Sequence, residues 1–369
     1  MNPKGLNILF LSYNGGLAGS TKSIAFLSDG LAKRGHRVFV GCREGTKLWA
    51  LIEEGAAQGI HIPFRGKWDP RTWRQIADLV SEHQIQVINA QSSKDRYASI
   101  FTKWFKRLPC LIYHTRRQRP TGASWLLKRW FYTQGTDKII VVSEALKQTF
   151  IDNGYPAKHL KVIHNGTPTQ QYEQPKKRTL QSLRKEFGIA EGTTVIGCIS
   201  RWKQQNDLIE ALRYLPDDYV IFFAGFRAAL ARPVLEKVKP SQRIILAGEL
   251  PFDKALECYR LFTVSVLCSV IDGFGLVLVE AMAMGAPVVA TDAQGIRDVV
   301  RHGINGLLYP SRDSEKLAQQ ILSIADDEQM ASQLIDKGYE TAYHTFSLDK
   351  TVTQYESFFT DEIECNGKQ

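Results

Sequence analysis

Short apolar runs alternate with amphipathic stretches along almost the whole chain. Residues 6–12 are apolar, and residues 20–33, which follow them, carry Ile24, Leu27 and Leu31 at helical spacing. Further strand-like runs in the first half occupy residues 37–41, 87–90, 111–114, 139–143 and 161–164. Buried strands that alternate with amphipathic helices predict parallel β-α-β units, with helices on both faces of a doubly wound α/β sheet.

The alternation is interrupted once and then restarts. Residues 167–178 are polar, contain two prolines and end in Lys-Lys-Arg, which is typical of a linker. A chain of 369 residues is long enough for two domains, each with its own core. We therefore place one domain over residues 1–168, a second over 169–347 and a final segment over 348–369. In the second half, strand-like runs resume at residues 195–200, 219–224, 243–247, 264–268 and 286–291.

The composition is that of a soluble globular protein, with 44% hydrophobic and 23% charged residues. The six cysteines are scattered without metal-site or disulfide spacing, so we expect reduced core residues in a cytoplasmic protein. The longest uncharged apolar run, residues 261–271, is too short to cross a bilayer. The start of the chain has the pattern of a first strand and not of a signal peptide.

Charge is distributed unevenly between the two halves. Residues 1–165 contain 25 Lys/Arg and 11 Asp/Glu, a net charge of +14. Residues 166–369 contain 22 Lys/Arg and 27 Asp/Glu, a net charge of −5. This asymmetry predicts that the first half meets an anionic partner: a membrane surface, a phosphorylated acceptor or a nucleic acid.

Aromatic and basic residues are mixed in two stretches of the first half, residues 103–107 and 125–131. They bring Trp104, Trp125 and Trp130 next to Lys and Arg. Two interpretations remain open. The second stretch is a helix that lies in a membrane interface, with its tryptophans at headgroup depth, or it is a helix packed on the sheet with a solvated basic face. Its apolar residues on one helical face would be Leu126, Leu127, Trp130 and Phe131.

Residues 272–290 combine a loop, a short helix from Leu276 and a buried strand. The two glycines of the loop allow backbone N–H groups to approach an anion, and the helix adds its positive end. Residues 273–276 are therefore a candidate phosphate cradle. Asp272 precedes it, and Glu280 follows about one turn into the helix, where carboxylates can accept hydrogen bonds from sugar hydroxyls. The two carboxylates would thus flank the phosphate cradle. This arrangement suits a nucleotide-sugar, which is anionic in its middle and has hydroxyls at both ends.

The same segment resembles the E-x7-E segment of retaining GT-B glycosyltransferases, specifically glycosyltransferase family 4. That family usually has Glu-Gly-Phe-Gly-Leu, then Glu-Ala-Met-Ala, then Gly-x-Pro-Val-Val-Ala; here the first acid is Asp272 and the rest matches. The resemblance implies the GT-B fold, with two Rossmann-like domains facing each other across a cleft. It also implies that residues 348–363 form a helix that crosses back to the N-terminal domain.

Two cations follow the strand-like run 195–200, where open α/β sheets bind their ligands. Arg201 and Lys203 would therefore stand beside the diphosphate, and the family has a lysine before a Leu-Ile-x-Ala helix, matched here except at Gln204. The resemblance implies further contacts at the Gly15-Gly16 loop, at His114 beside the transferred sugar, and at the Leu250 loop near the base. The candidate catalytic residues are Asp272, Glu280, His114, Lys203 and Arg201. The candidate donor-binding residues are Gly15, Gly16, Arg201, Lys203, Leu250, Asp272, Phe274, Gly275, Leu276 and Glu280.

The sequence predicts no metal site and no cofactor. It contains no Asp-x-Asp, no His-x-x-x-His and no paired cysteines, and it lacks the glycine-rich lysine loop of P-loop nucleotidases. Charge on the leaving diphosphate would then be stabilised by Arg201, Lys203 and backbone N–H groups. The nucleotide-sugar, linked to UDP or GDP, would be a substrate.

The resemblance implies a retaining, metal-independent glycosyltransferase that moves a hexose or related sugar to a glycan or glycolipid acceptor. Acceptors of cell-surface polysaccharide or lipopolysaccharide type are expected, and the protein would act in the cytoplasm, alternatively docked on the inner face of the cell membrane. Three alternatives stay open: a sugar-nucleotide epimerase of GT-B fold, a non-catalytic donor-binding subunit, and a non-catalytic basic protein for anionic partners. Nucleic acid is disfavoured as a partner because the second half is acidic and no nucleic-acid motif occurs.

Overall fold

The structure is a computed structural model that describes residues 5–16, 19–120, 125–270 and 273–367. The chain divides into two compact units. The first comprises Met1–Gly166 with Leu348–Gln369, and the second comprises Thr167–Ser347. The division after Gly166 lies two residues before the boundary that the sequence suggested at residue 168.

Within its described residues, the first unit is built on a sheet of seven parallel strands in the order β3-β2-β1-β4-β5-β6-β7. Ile8 of the central strand β1 lies opposite Val38 on one side and Val87 on the other. Because the chain runs outward from β1 in both directions, the carboxyl ends of β1 and β4 flank a crevice. The strands are β1 (Asn7–Leu11), β2 (Arg37–Cys42), β3 (Gln58–His61), β4 (Val87–Ala90), β5 (Leu111–Arg116), β6 (Lys138–Val141) and β7 (Leu160–Val162).

Helices connect these strands and start at polar caps. Asp69 caps one helix by accepting from the backbone N–H of Arg71, and Pro70 follows at the first helical position. Ser92 and Asp95 form a capping box on the next helix. The helices are α1 (Gly19–Lys33), α2 (Lys47–Glu53), α3 (Pro70–Glu82), α4 (Ser93–Lys106), α5 (Trp125–Gly135) and α6 (Glu144–Asp152).

The described part of the second unit repeats the plan with six parallel strands in the order β10-β9-β8-β11-β12-β13. The strands are β8 (Val195–Ile199), β9 (Val220–Ala224), β10 (Arg243–Leu246), β11 (Val264–Leu267), β12 (Val288–Thr291) and β13 (Leu307–Tyr309). The helices are α7 (Glu173–Lys176), α8 (Leu180–Glu186), α9 (Asn206–Ala211), α10 (Arg232–Val238), α11 (Phe252–Tyr259), α12 (Leu276–Ala283), α13 (Ser314–Ala325) and α14 (Glu328–Glu340).

The last helix, α15 (Leu348–Gly367), packs on α1 of the first unit. A side chain at Gly30 would come within 2.6 Å of the Val352 methyl group, so the two helices meet where α1 has no side chain. Arg34 pairs with Glu356 at 2.8 Å and fixes the register of the contact. Val352 and Phe359 are buried in the core that β1 and β2 also supply.

Residues 167–178, which the sequence suggested as a linker, are folded against the second unit. Tyr172 is fully buried. The Arg260 guanidinium donates to the carbonyls of Pro175, at 3.0 Å, and Arg178. Arg178 in turn pairs with Glu257 at 3.1 Å. The stretch is therefore folded as part of the second unit, and the chain divides at its first residue, between Gly166 and Thr167.

Candidate functional site

The loops that follow β8 and β11 lie side by side at the carboxyl edge of the second sheet. These strands are neighbours, and Ile196 of β8 pairs with Val264 of β11. The strand order reverses between them, which is the position where doubly wound sheets bind ligands. The structure therefore brings together two groups of predicted residues: Arg201 and Lys203 in the first loop, and Phe274, Gly275 and Leu276 in the second.

A buried glutamine holds the loop after β8. Gln205 is fully buried, and its Nε2 donates to Ser200 Oγ and to the Arg201 carbonyl, each at 2.8 Å. Its Oε1 accepts from the backbone N–H of Lys203. The loop backbone is thus fixed while the Arg201 side chain is exposed and that of Lys203 is half-buried. Gln205 was not predicted from the sequence, because an amide near a strand end gives no signal of its own.

The loop after β11 is described from Gly273 onward, so Asp272 lies outside the described residues. Gly275 caps α12 with a left-handed backbone, φ 82°, and its carbonyl accepts from the N–H of Leu278 at 2.9 Å. The Phe274 ring is buried and lies 5.0 Å from Phe346, edge to face. Phe274 therefore anchors the loop by its side chain, which leaves its backbone as the candidate donor contact.

Glu280 lies half-buried in the second turn of α12, beside two buried phenols. Burial, and then the negative charge of Glu280, raises the pKa of Tyr172 and of Tyr259 well above the usual value. Both phenols are therefore neutral at physiological pH. Neither tyrosine was predicted here from the sequence, since Tyr172 lies in the predicted linker, far from Glu280 along the chain.

The loops after β9 and β10 extend the same edge. The N–H of Gly225 donates to the Gly248 carbonyl at 2.7 Å, and a Cβ at Gly225 would lie 2.7 Å from the Ser200 carbonyl oxygen. Only glycine permits this approach, which also requires φ 93°. Leu250 follows two residues after Gly248 and is half-buried. The predicted base-side residue thus lies at the same edge of the sheet as Arg201.

In the first unit, the predicted glycine pair leads out of β1. Gly15 is buried, and a side chain there would come within 2.5 Å of Thr46 Oγ1. Gly16 is exposed, a Cβ there would meet nothing within 4 Å, and its carbonyl accepts from Thr21 Oγ1 at 2.6 Å. Packing therefore explains Gly15, whereas Gly16 leaves open space that a ligand can approach.

A buried carboxylate joins the loops that follow β1 and β4. Asp95 accepts from the backbone N–H groups of Tyr13 at 3.0 Å, Gln91 at 2.7 Å and Ser92 at 2.7 Å. Burial raises its pKa above the usual carboxyl value. Asp95 was not predicted from the sequence, although its Ser-x-x-Asp spacing from Ser92 is the signature of a capping box.

His114 is placed on β5 and is fully buried. Its Nε2 lies 3.1 Å from Ser99 Oγ, and Ser99 Oγ donates to the Arg96 carbonyl at 3.0 Å. Burial, followed by the charges of Arg96 and Arg116, holds the imidazole pKa well below its usual range, so the ring is neutral. Its predicted contact with a sugar stays a prediction, because the ring has no exposed surface.

The first unit also carries a surface of exposed apolar side chains, here called the aromatic surface: Trp68, Trp104, Phe105, Leu127 and Trp130. The Trp104 and Trp130 rings lie 6.0 Å apart and join α4 to α5. The Trp68 ring packs 4.4 Å from Phe101, and the Phe105 ring stacks 5.3 Å from Trp73. The side chains of Trp125 and Leu126, which the sequence analysis included, lie outside what the structure describes.

The described ranges contain neither a metal-binding cluster nor a membrane-spanning helix. No group of three or more His, Cys, Asp and Glu side chains is arranged to hold a metal ion in this part of the chain. No helix in it combines the length and apolar character needed to cross a membrane.

Two family profiles match the two halves of the chain in order. Residues 17–171 match the profile described as Glycosyltransferase Family 4, and residues 173–341 match that of Glycosyl transferases group 1. Together the two matches extend from residue 17 to residue 341.

Curated relatives share about a quarter of their residues with the chain. N-acetyl-alpha-D-glucosaminyl L-malate synthase of Bacillus anthracis is 26% identical over 247 residues, which is 64% of each chain and so just under two thirds of that enzyme. The putative glycosyltransferase EpsD of Bacillus subtilis is 26% identical over 358 residues, 91% of this chain and 92% of that protein.

Solved structures share the fold at lower identity. A glycosyltransferase from Rickettsia africae superposes with a TM-score of 0.86 at 18% identity, covering 97% of this chain and 98% of that one. Anabaena HepE, crystallised in complex with UDP-glucose, gives 0.83 at 22% identity, covering 96% and 100%. These neighbours and the two parallel sheets confirm the predicted GT-B class. With both halves matched in order, the chain belongs to the glycosyltransferases that these two profiles describe, family 4 and glycosyl transferases group 1.

Proposed function

We propose that this protein transfers a sugar from a nucleotide-sugar to an acceptor with retention of the anomeric configuration. The observation that carries the proposal is the adjacency of two loops in the second unit. One supplies Arg201 and Lys203, and the other supplies the glycine-capped start of α12. Two cations and the positive end of a helix at one sheet edge suit a diphosphate.

The chemistry follows from what each group does to charge. As the bond to the sugar breaks, negative charge grows on the diphosphate oxygen, and Arg201, Lys203 and the N–H groups of Gly275 and Leu276 would stabilise it there. Glu280 would orient the sugar by accepting from its hydroxyls. Because the sequence has no Asp-x-Asp clamp, we propose that these groups replace a divalent ion.

We propose a UDP-linked hexose as the donor, with a GDP-linked sugar as the alternative. The fold neighbour HepE was crystallised with UDP-glucose, which supports testing this donor first. The test is a panel of UDP- and GDP-sugars, with thermal stability as the readout, since a bound donor stabilises the folded chain according to its occupancy. Stabilisation by none of the panel would reject the donor assignment.

The exposed helix α5 supports a membrane-associated acceptor. A helix with a solvated basic face would bury Leu127 and Trp130 and expose the residues between them. Instead Leu127 is 73% exposed and Trp130 59% exposed, while Lys128 and Arg129 are half-buried. This arrangement favours the membrane-interface interpretation over the one in which α5 packs its apolar face on the sheet.

The positive net charge and the exposed aromatic side chains both belong to the first unit. Trp68 and Phe105 are 70% and 64% exposed, and Lys106 and Arg107 beside them are also exposed. Residues 348–369 add two Lys/Arg and five Asp/Glu to this unit, which lowers its net charge from +14 to +11. We propose that the aromatic surface docks on the anionic inner face of the cell membrane, where a lipid-linked glycan acceptor of cell-surface polysaccharide or lipopolysaccharide type is available.

Product analysis separates the alternative functions. An epimerase would convert the sugar while it remains linked to the nucleotide, without any acceptor. A non-catalytic subunit would bind the donor and release neither free nucleotide nor product. Release of UDP together with a new α- or β-glycosidic bond of unchanged configuration supports the transferase, and NMR of the product reads that configuration.

A further inference from the structure

Three arginines converge at the carboxyl edge of the first sheet. Arg96 lies in the first turn of α4, Arg116 ends β5, and Arg117 follows it. The strands β4 and β5 that lead to them are neighbours, with Ala90 paired to His114. Burial, and the charge of Arg96 with it, lowers the pKa of Arg116 to about 10 and lowers that of Arg117. Arg96 is thus close enough to repel both.

No carboxylate forms an ion pair with any of the three within the described ranges. Arg96 donates to the Ser92 carbonyl at 2.7 Å, and Arg117 donates to Gln91 Oε1 at 2.8 Å. The Arg116 guanidinium lies 5.3 Å from the Tyr132 ring and 5.2 Å from the Phe150 ring. Their partners are therefore carbonyl, amide and aromatic groups without charge.

The acid on the same helix does not neutralise the cluster. Asp95 directs both carboxylate oxygens to backbone N–H groups and to the Ser92 hydroxyl. Two half-buried arginines elsewhere do have acidic partners, Arg34 with Glu356 and Arg178 with Glu257. The nearby charge of Asp95 acts on Arg96 without forming an ion pair, so three guanidinium groups at this sheet edge face one carboxylate and keep a surplus of positive charge.

Arg117 and His114 each have a buried nitrogen atom without a hydrogen-bond partner in the described part of the chain. These atoms are Nε of Arg117 and Nδ1 of His114. Buried donors and acceptors are usually satisfied, so their presence beside like charges indicates a place shaped for another group. A guanidinium presents several N–H donors in a plane and binds phosphate oxygens in pairs.

We propose that Arg96, Arg116 and Arg117 bind a phosphate group of the acceptor. The inference rests on the proposed function, because it names the chemistry of the acceptor that this transferase would use. Three cations suit a phosphate monoester, which carries a charge of about −1.5 to −2 at neutral pH, better than a single carboxylate. The phosphate can belong to a soluble sugar phosphate or to a lipid-linked acceptor.

The test is a titration of the full chain with inorganic phosphate against potassium chloride of equal ionic strength. Thermal stability and calorimetry are read for the wild type, Arg96→Gln, Arg117→Gln and the control Arg74→Gln. Arg74 lies on α3 with an exposed side chain and makes only a 4.0 Å pair with Asp78. We expect phosphate affinity to fall about tenfold or more in each cluster variant, as for loss of a charge-assisted pair, and to stay unchanged in Arg74→Gln.

UDP binding is measured on the same variants to keep the two proposals separate. Phosphate in the donor cradle of the second unit would be displaced by saturating UDP, whereas phosphate at the arginines would remain. If UDP does not bind the wild type, the proposed function fails, while a phosphate effect lost in Arg117→Gln still supports the cluster. Equal phosphate affinity in wild type, Arg96→Gln and Arg117→Gln overturns the inference, as does a wild type that phosphate stabilises no more than chloride.

A second arm identifies the source of the phosphate. Cosedimentation compares phosphatidylcholine vesicles with vesicles that also contain phosphatidic acid, whose headgroup is a phosphate monoester. Weaker binding of Arg117→Gln than of Arg74→Gln to the phosphatidic acid vesicles supports a lipid-borne phosphate. Equal vesicle binding by the two, with the loss of soluble phosphate affinity in Arg117→Gln, supports a soluble phosphorylated acceptor.

Discussion

The side-chain amide of Gln205 donates to the Ser200 hydroxyl over 2.8 Å, and both side chains are buried behind the loop that carries Arg201 and Lys203. Gln205→Ala removes this bond and two more to the loop backbone. We expect donor affinity to fall about tenfold and the free energy of unfolding to fall by about 1–3 kcal/mol. Calorimetry with UDP-glucose and urea unfolding measure the two effects. Gln148→Ala on α6, an exposed glutamine, is the matched control.

Lys203 and Glu280 are expected to be essential for transfer and dispensable for folding. Lys203→Ala removes a cation that would stabilise the leaving diphosphate, and Glu280→Ala removes a carboxylate that would hold the sugar. We expect kcat/KM to fall about 100-fold or more in each, with melting temperature little changed. Lys237→Ala, an exposed lysine on α10, controls for loss of charge in the second unit. Full turnover by either folded variant contradicts the assignment.

Chelation is expected to leave the rate unchanged. The sequence lacks the Asp-x-Asp clamp, so the leaving charge would be carried by Arg201, Lys203 and backbone N–H groups. The initial rate is measured in saturating EDTA and again after adding magnesium or manganese. A rate that EDTA abolishes and only a divalent ion restores would show that the proposed charge stabilisation is incomplete.

Asp272 is expected to help select the sugar of the nucleotide-sugar donor. Its side chain is one methylene shorter than the glutamate common in the family, which sets the carboxylate about 1.5 Å further back in the same pose. The site would then admit a bulkier or differently oriented sugar, or bridge by water. Asp272→Glu should change the ratio of kcat/KM values across a donor panel with little change in stability. An unaltered ratio shows that this position does not select the sugar.

Membrane binding is expected to combine an electrostatic contribution, which salt screens, with an apolar contribution, which salt does not remove. Basic residues near an anionic surface contribute about 1 kcal/mol each at low ionic strength, whereas inserted side chains act through apolar burial. Binding to anionic vesicles should weaken steeply with salt without vanishing, and neutral vesicles should bind poorly. Leu127→Ser and Trp130→Ser should remove the salt-resistant part.

The control for the membrane experiment is Leu230→Ser, which replaces an exposed leucine of the second unit. Cosedimentation at several ionic strengths measures all the variants. Equal binding to neutral and anionic vesicles, or binding to neither, removes the membrane from the proposal and leaves a soluble acceptor.

Periodicity predicted most strands because most of their residues are apolar. Val87–Ala90, for example, is fully buried and was predicted with its bounds unchanged. Two strands of the described chain were not predicted, one because of its composition and the other because of its length. Gln58–His61 is a largely exposed edge strand, and Leu307–Tyr309 has only three residues. Their pairing is decided by the neighbouring strand, which a local pattern does not contain.

The candidate site divides in the same way. Strand ends and glycine loops in the sequence were enough to predict Arg201, Lys203, Gly275 and Leu276 at one sheet edge, because the direction of parallel strands brings their carboxyl ends together. The residues that support this edge, or that converge elsewhere, could not be predicted from the sequence. Gln205 and Tyr172 act through contacts made only after folding, and the convergence of Arg96 with Arg117 depends on the pairing of β4 with β5. The chemistry of a single side chain does not indicate which distant residues it will contact in the folded chain.

The contact of Gly30 with Val352 has a consequence for biosynthesis. Helix α15 supplies Val352 and Phe359 to the first unit, yet the ribosome makes it after every residue of the second unit. The surface of α1 that α15 covers therefore stays exposed in the nascent chain while Thr167–Ser347 is translated and folds. A chain that ended before Leu348 would contain the whole second unit, but its first unit would lack α15. We expect that first unit to be cleaved more readily by proteases.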